Sequence, residues 1–223
     1  MTPAHPDDDR RRYLPVALDL SDQPVLLIGG GKVATERLPG LLDCGAVVTI
    51  ISPEATEPIR AAAASEQIVL HARGFQSGDT DGYFLVLVAT DDAETNAAAY
   101  QEAAAAGRLV NVCDDPAHCN VIFASRIERG PLTVSIFTHG TSPALSKKVR
   151  RELEQRLGPE WAALAELMAD IRPRVLSAEG LDQPARQRVF EAVLASEALE
   201  RFRVGDADGA RALAAAILRR HRV

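Results

Sequence analysis

Three consecutive glycines are the clearest chemical signal in this sequence. Gly29, Gly30 and Gly31 follow the apolar run Val25–Ile28 and precede a helical pattern. With Ala34 they fit Gly-x-Gly-x-x-Ala, a fingerprint of dinucleotide-binding turns. In such a turn the first glycine allows a sharp exit from the strand, the second lets a diphosphate approach the backbone, and the alanine lets the helix pack closely. The free N–H groups and the dipole at the helix start favour phosphates.

The surroundings of this turn distinguish it from an ordinary glycine-rich turn. It lies between a strand pattern and a helix pattern, near the start of a series of alternating strands and helices. Apolar residues recur at helical spacing from Val33 to Leu42. Pro39 lies inside this helix, where a proline typically costs about 3 kcal/mol. We therefore expect a kink or a shortened helix at Pro39.

Polar residues also follow the later strand patterns. Asp114 follows the fifth strand, and a carboxylate there can act as a general base beside a hydride acceptor. An aspartate shortly before Pro116 can equally cap a turn, so both interpretations of Asp114 stay open. The same alternatives hold for Asp91 and Asp92 after the fourth strand, where Thr90 is a candidate for hydrogen bonds to a cofactor.

Ser52, Pro53 and Glu54 follow the second strand, where a dinucleotide fold places the adenosine ribose. An aspartate at the first of these positions would favour NAD and a nearby arginine would favour NADP, but the chain has neither there. Glu54 can reach a ribose hydroxyl or can be an acidic residue of the first turn of the next helix. The sequence does not decide between these two roles.

A second place suited to anions begins at Gly140. A glycine turn leads into a helix for which Ser142 is a suitable N-cap and Pro143 a suitable first residue. Basic residues follow at Lys147, Lys148, Arg150 and Arg151. They can attract carboxylates or simply form a solvated helix face. His139 can be a ligand, an acid–base group or a turn residue.

The elements that must position these residues alternate along the first half of the chain. The predicted strands are Val25–Ile28, Val47–Ile51, Ile68–Leu70, Phe84–Ala89 and Leu109–Val112. The helices after the glycine turn are expected at residues 55–66 and 93–106. Strands alternating with helices predict an α/β fold with a Rossmann-like, doubly wound parallel sheet. Ligands bind such sheets at the carboxyl ends of the strands, so all the strand-end residues above should share one edge.

Outside this sheet the pattern changes. Tyr13–Val16 is a short apolar lead-in and is expected to be an edge element. Residues 121–127 and 132–138 form a hairpin-like unit, which could pair with the same element of a second subunit. From Glu160 onwards the chain is expected to be helical, with Trp161 and Met168 in the core rather than at a cofactor.

Composition excludes several classes of protein. The chain has 223 residues, 47% of them hydrophobic, and a net charge of −6, which argues against a general nucleic-acid binder. Since no apolar run is long enough to cross a bilayer and Met1–Arg12 has no apolar segment, we expect a loose tail and a cytoplasmic protein without a membrane partner. Cys44, Cys113 and Cys119 are expected to be reduced and structural.

Five motifs in order resemble one family. They are Tyr13-Leu14-Pro15-Val16, the glycine triplet with Lys32-Val33-Ala34 and Arg37, Ala89-Thr90-Asp91-Asp92, Asn111-Val112-Cys113-Asp114, and Gly140-Thr141-Ser142-Pro143. Together they are similar to the siroheme synthase dehydrogenase/ferrochelatase family, also called precorrin-2 dehydrogenase, over roughly residues 13–157. Leu38 stands where this family often has a second basic residue, and His139 stands where a glycine is usual.

The resemblance implies NAD-dependent oxidation of precorrin-2 to sirohydrochlorin and, in many members, insertion of Fe²⁺ to give siroheme. It implies a homodimer, and this chain resembles the stand-alone form without a methyltransferase. After the loose tail expected at residues 1–12, the implied parts are an NAD-binding domain at 13–116, a β dimerisation unit at 117–142 and a helical domain at 143–223.

The resemblance also implies roles for individual residues. Asp114 takes the place of the catalytic aspartate, and Lys32, Val33, Pro53 and Glu54 take the places of cofactor contacts. We add the three glycines, Ser52, Thr90 and Asp91 as cofactor candidates. Gly140, Thr141 and Ser142 are the candidates for binding a substrate with eight carboxylates. No metal ligands can be named. The alternatives are a dehydrogenase without chelatase activity and an NAD-sensing regulatory module, although no basic recognition helix of a repressor is visible.

Overall fold

The computed structural model describes residues 13–223, which divide into two compact units. Residues 14–123 form the sheet unit, and Tyr13 with residues 124–223 forms the hairpin–helix unit. The expected tail at residues 1–12 lies outside the described residues. The proposed domain boundaries stay predictions.

The sheet unit is built on five strands and three helices. The strands are β1 Pro24–Ile28, β2 Val47–Ile51, β3 Val69–His71, β4 Leu85–Val88 and β5 Leu109–Val112. The helices are α1 Lys32–Asp43, α2 Glu57–Ala64 and α3 Ala93–Ala105. The strand order is β3-β2-β1-β4-β5 and every neighbouring pair is parallel. This confirms the predicted Rossmann-like fold.

Apolar cores cover both faces of this sheet, which explains why its central strands are almost wholly apolar. Alternate residues of β1 point to opposite faces. Leu27 packs in a core with Leu38 and Ile59 from α1 and α2. Leu26 packs in a second core with Ala99 from α3. Packing of the helices on both faces therefore holds the strand ends, and the loops that follow them, in position.

Helix α1 runs through Pro39 to Asp43, so the expectation of a shortened helix is wrong. Pro39 cannot donate a backbone hydrogen bond. Leu38 and Leu41, on either side of it, are only 5% and 4% exposed. Burial of this face holds the helix despite the missing bond, whereas Val33 lies outside the buried face.

Two predicted extended segments are not strands. Tyr13–Val16 has no regular secondary structure, and Leu14 is 83% exposed. Residues 121–124 also form no strand. The edge of β5 is instead covered by the side chain of Asn120, whose Oδ1 accepts the N–H of Val110 at 2.7 Å and whose Nδ2 donates to Arg108 O at 2.7 Å.

The hairpin–helix unit contains the predicted antiparallel hairpin. Its strands are β6 Ser125–Arg129 and β7 Leu132–Ile136, joined at Gly130 and Pro131. The helices are α4 Pro143–Glu154, α5 Glu160–Ser177, α6 Gln183–Leu194, α7 Ala198–Arg203 and α8 Ala207–Arg220. Trp161 and Met168 pack against the helical core as predicted. Among residues 13–223, none of the helices has the length and apolar character to span a bilayer.

Candidate active site

The loops after β1 and β4 meet where the strand order of the sheet reverses. Ala89 donates its N–H to Ile28 O at 2.8 Å, and Gly29 donates to Ile51 O at 2.9 Å. Cys113 donates to Val88 O at 2.8 Å in the same way. Loops that leave neighbouring strands are thus joined side by side at one edge. Such a reversal point is where open α/β sheets bind ligands.

The absence of a side chain at each of the three glycines has a different reason. A Cβ on Gly29, whose φ is +110°, would lie 2.3 Å from Ala89 O. A Cβ on Gly30 would lie 2.3 Å from Glu54 O. A Cβ on Gly31 would meet no atom within 4 Å. Gly29 and Gly30 are therefore required by the packing of the protein itself, whereas Gly31 presents open backbone to a ligand.

Gly31 is also the N-cap of α1, and no side chain caps the helix there. Its carbonyl accepts the N–H and the Oγ1 hydroxyl of Thr35, at 3.0 and 2.9 Å. The N–H groups of the first turn, beginning at Lys32 and Val33, have no partners inside the helix. Open backbone, free N–H groups and the positive end of the helix dipole together suit a diphosphate. The residues present therefore fit a dinucleotide cofactor.

The loop after β2 is hydrogen-bonded to the glycine turn and to the start of α1. Thr56 donates its N–H to Gly30 O at 3.0 Å, and its hydroxyl lies 2.7 Å from the hydroxyl of Thr35. Ser52 is buried and donates its hydroxyl to Glu54 O at 2.6 Å. The hydrogen bond from Ser52 thus holds the loop in shape. The hydroxyl oxygen of Ser52 can still accept a hydrogen bond from a cofactor.

Helix α2 begins at Glu57 with Thr56 as its N-cap. Glu54 therefore precedes the helix, and its interpretation as an acid of the first helical turn is wrong; Glu57 has that position. Pro53 and Glu54 are both exposed. The Glu54 carboxylate thus lies at the end of β2, where a ribose hydroxyl would be recognised.

The loop after β4 separates the roles of its two aspartates. Asp92 is the N-cap of α3, and its Oδ2 accepts the hydroxyl of Thr95 at 2.6 Å. This hydrogen bond holds the pKa of Asp92 below its usual value. Asp91 is exposed. Thr90 donates its hydroxyl to Oδ1 of Asn96 at 2.6 Å, so this residue also fixes the loop to α3.

The loop after β5 likewise assigns the capping role to one aspartate. Asp115 caps the short 3₁₀ turn Pro116–His118, and its Oδ2 lies 2.6 Å from Nδ1 of His118. This hydrogen bond lowers the pKa of Asp115. Asp114 is exposed and has a φ of +61°, a left-handed conformation that aspartate tolerates better than most residues. The carboxylate of Asp114 is thus not the cap of this turn.

Cys44 and Cys113 are free thiols. Cys119 is buried and its sulfur accepts the N–H of Val112 at 3.3 Å, as expected for a structural cysteine. Burial raises the pKa of the Cys113 thiol. Cys44 is exposed at the end of α1 rather than packed. Within residues 13–223, no group of three or more His, Cys, Asp or Glu side chains is arranged to hold a metal ion.

In the hairpin–helix unit, the Gly140–Ser142 turn precedes α4. Ser142 is the N-cap predicted from the sequence, and its Oγ accepts the N–H of Leu145 at 3.1 Å. His139 has a φ of +49°, and its Nδ1 accepts the N–H of Tyr13 at 3.2 Å. A left-handed conformation is one that glycine adopts without cost, so His139 is foremost a turn residue.

Comparison with known proteins finds relatives for both units. Residues 16–125 match a family model described as putative NAD(P)-binding, and residues 129–156 match one described as "Sirohaem biosynthesis protein central". The siroheme synthase of Methylococcus capsulatus is 39% identical over 199 residues, which make up 89% of this chain and 42% of that protein. The chain belongs to the siroheme synthase N-terminal-type family.

Other comparisons agree with this membership of the siroheme synthase family. Siroheme synthase 1 of Pectobacterium atrosepticum is 39% identical over 179 residues, which make up 80% of this chain and 37% of that protein. The chain thus spans about two fifths of the length of these curated relatives. The solved structure of "SirC, precorrin-2 dehydrogenase" has the same fold, with a TM-score of 0.77 and 22% identity over 92% of this chain and 100% of that chain.

In this member of the siroheme synthase family, the sheet unit brings together most of the predicted residues. The glycine turn and the loops after β2, β4 and β5 share the carboxyl edge of the sheet. The Gly140–Ser142 turn belongs to the hairpin–helix unit. Sequence reasoning missed the supporting pairs Thr35–Thr56 and Thr90–Asn96. The first joins residues 21 positions apart, which no local pattern signals.

Proposed function

We propose that this chain oxidises precorrin-2 to sirohydrochlorin with NAD as the hydride acceptor. The observation that carries the proposal is the open Gly31 backbone at the reversal point of the sheet, with the Asp114 carboxylate at the same edge. Membership of the siroheme synthase family supports the substrate class. The family model described as putative NAD(P)-binding supports a nicotinamide cofactor.

The first turn of α1 would hold the cofactor's diphosphate. The N–H groups of Lys32 and Val33 lie at the positive end of the helix, next to the open face of Gly31. Thr35 and Thr56 fix this turn to the loop after β2. The site is therefore organised before any ligand arrives, which limits the ordering cost of binding.

The residues after β2 favour NAD over NADP. Glu54 offers an exposed carboxylate, which can accept hydrogen bonds from ribose hydroxyls but would repel a 2′-phosphate. Arg60, the nearest arginine along the chain, has its guanidinium 2.8 Å from Oε2 of Glu57. The charge of Arg60 is therefore already paired with a carboxylate. Since residues 52–64 contain no other arginine or lysine, no unpaired cation of this range is left for a 2′-phosphate.

Asp114 would take the proton in the oxidation. When bound, the nicotinamide supplies an acceptor for the hydride. The substrate loses two hydrogens, one as the hydride and one as a proton, and the exposed carboxylate of Asp114 accepts that proton. The carboxylate can do so because the neighbouring Asp115 provides the hydrogen bonds that cap the turn.

We also propose that the chain inserts Fe²⁺ into sirohydrochlorin. Insertion displaces protons from pyrrole nitrogens, and the same Asp114 carboxylate can accept them. The Gly140–Ser142 turn lies at the positive end of the α4 helix dipole and would bind part of the substrate's carboxylates there. We propose that the β6–β7 hairpin pairs with the hairpin of a second copy, which would give a homodimer.

The test is to mix the protein with precorrin-2 and either NAD or NADP and to follow the absorbance of sirohydrochlorin. We expect rapid oxidation with NAD and a much lower rate with NADP. Calorimetric binding of NAD without any oxidation would contradict the enzyme and favour an NAD-sensing module. Sirohydrochlorin with Fe²⁺ tests the second activity, because a rate equal to the protein-free background would contradict only the chelatase proposal.

A further inference from the structure

The structure points to a binding residue for the substrate that none of the assignments above includes. We infer that Arg37 binds a carboxylate of the tetrapyrrole beside Asp114 and so helps to select a polycarboxylate substrate. The inference rests on the proposed function, since it concerns the substrate of that same site.

Arg37 is held in place by an aromatic ring. It lies in the second turn of α1, and its guanidinium carbon is 4.8 Å from the centroid of the Phe123 ring. Phe123 is itself packed against the apolar core on the α1 face of the sheet. A guanidinium that stacks on a ring keeps its N–H donors free at its edge. Phe123 thus presents the cation in a fixed orientation instead of leaving it mobile in solvent.

Arg37 has no acidic partner within the described part of the chain. Other arginines of the sheet unit form close ion pairs, such as Arg73 with Asp79 at 2.7 Å and Arg108 with Asp81 at 2.9 Å. Arg37 is exposed, and the ring of Phe123 is the side chain that its guanidinium contacts within residues 13–223. Its donors are therefore available to an anion that comes from outside the protein.

The charge of Arg37 reaches the end of β5. Burial raises the pKa of the Cys113 thiol, and the positive charge of Arg37 acts on the same thiol in the opposite direction. The contacts of Arg37 give the same placement, because Val121 O, two residues before Phe123, accepts Nδ2 of Asn111 at 2.9 Å. Asn111 lies in β5 three residues before Asp114, so Arg37 is on the β5 side of the edge. The adenosine end of a dinucleotide lies over β2, at the other half of the edge. Arg37 is thus placed on the half where the substrate must approach.

The chemistry of the substrate fits a cation at this position. Tetrapyrroles of this pathway carry several carboxylates, whereas this chain has a net charge of −6. Such a protein must compensate locally for the repulsion of a polyanion. Arginine binds carboxylates in a bidentate way that lysine cannot reproduce, so its contribution is geometric as well as electrostatic.

Three variants test this inference. Arg37→Met removes the charge, Arg37→Lys keeps the charge without the planar fork, and Phe123→Leu removes the ring that orients the guanidinium. Arg172→Met is the matched control, because Arg172 is an exposed arginine of α5 in the other unit and forms no ion pair within residues 13–223. The readouts are the Kd of sirohydrochlorin by absorbance titration, the Kd of NAD by calorimetry, and the KM and kcat for precorrin-2.

We expect Arg37→Met to weaken sirohydrochlorin binding and to raise the KM for precorrin-2 by about tenfold or more. Arg37→Lys and Phe123→Leu should have smaller effects, and NAD binding should change less than twofold in all of them. An unchanged Kd for sirohydrochlorin in Arg37→Met, or a loss confined to NAD, would overturn the inference alone. A parent protein that binds no sirohydrochlorin would overturn the proposed function and the inference with it.

Discussion

Replacing single glycines of the turn should separate their roles in folding and in binding. Gly31→Ala adds a methyl group where the protein has no atom within 4 Å, at a φ of −84° that alanine adopts freely. Gly30→Ala places the same group 2.3 Å from Glu54 O, a distance that requires the loop after β2 to move. We therefore predict that Gly31→Ala loses dinucleotide affinity and keeps its stability, while Gly30→Ala loses stability.

The size of both effects follows from the contacts. Alanine is a poorer N-cap than glycine, but it also restricts the unfolded chain, so the net change in the free energy of unfolding of Gly31→Ala should stay within about 1 kcal/mol. Its new methyl group occupies the space in front of the free N–H groups of α1. Loss of one charge-assisted hydrogen bond costs about 1.5–3 kcal/mol, which corresponds to about a 10- to 100-fold weaker Kd.

The assays are urea unfolding followed by circular dichroism and NAD binding followed by calorimetry. Parent, Gly30→Ala and Gly31→Ala are compared under the same conditions. If Gly31→Ala bound NAD as tightly as the parent, the diphosphate would not lie on the Gly31 backbone. If it unfolded as easily as Gly30→Ala, the open space beside Gly31 would not exist in solution.

Two further predictions concern stability. Pro39→Ala restores an N–H that can donate to the carbonyl of Thr35 within α1. It should therefore raise the free energy of unfolding by about 1–3 kcal/mol in urea titrations. A variant less stable than the parent would contradict this account of α1. Asp79, only 12% exposed, accepts two hydrogen bonds from Arg73 at 2.7 Å each, which lower its pKa. Because the folded pKa is depressed, this stabilisation is present above the unfolded pKa of about 4 and is lost as the pH falls below it. Asp79→Asn should therefore be about 2 kcal/mol less stable than the parent at pH 7, with a gap that narrows below pH of about 4; a gap independent of pH would refute the pairing.

Local patterns in the sequence were sufficient where a single segment determines its own structure. The bounds of β2 and β5 agree with the prediction to the residue, since each is an apolar run closed by turn residues. Gly45 and Gly107 follow helices with positive φ, as expected of helix-ending glycines. Ser142 caps α4 because its side chain reaches a backbone N–H only three residues away.

Prediction failed where a distant partner decides the structure. Val121 is apolar enough for a strand, but its N–H and that of Asn120 both donate to Val110 O, while the Asn120 side chain accepts the N–H of Val110. This pattern is not the ladder that a paired strand would form. The apolar pattern predicts an edge element at Tyr13, yet the Tyr13 N–H donates to the side chain of His139, 126 residues away. In α1 the burial of Leu38 and Leu41 outweighs the local cost of a proline.

In the candidate site, too, local patterns were predicted from the sequence and contacts between distant residues were not. The glycine fingerprint predicted the place of the turn, but the sequence did not show that Gly30 is required by the carbonyl of Glu54. It left open which aspartate after β5 caps the turn. The structure assigns the cap to Asp115, and this depends on the left-handed backbone of Asp114, which no residue pattern encodes.

One comparison of variants shows most directly whether a nucleotide on the glycine turn meets a proton acceptor at Asp114. Asp114→Asn keeps a side chain that tolerates a φ of +61°, and Asp115→Asn is the control for the neighbouring carboxylate. With precorrin-2 and saturating NAD, we predict that Asp114→Asn lowers kcat by about 10²- to 10⁴-fold with an unchanged Kd for NAD, while Asp115→Asn stays within severalfold of the parent. Oxidation by Asp114→Asn at the parent rate would contradict the account.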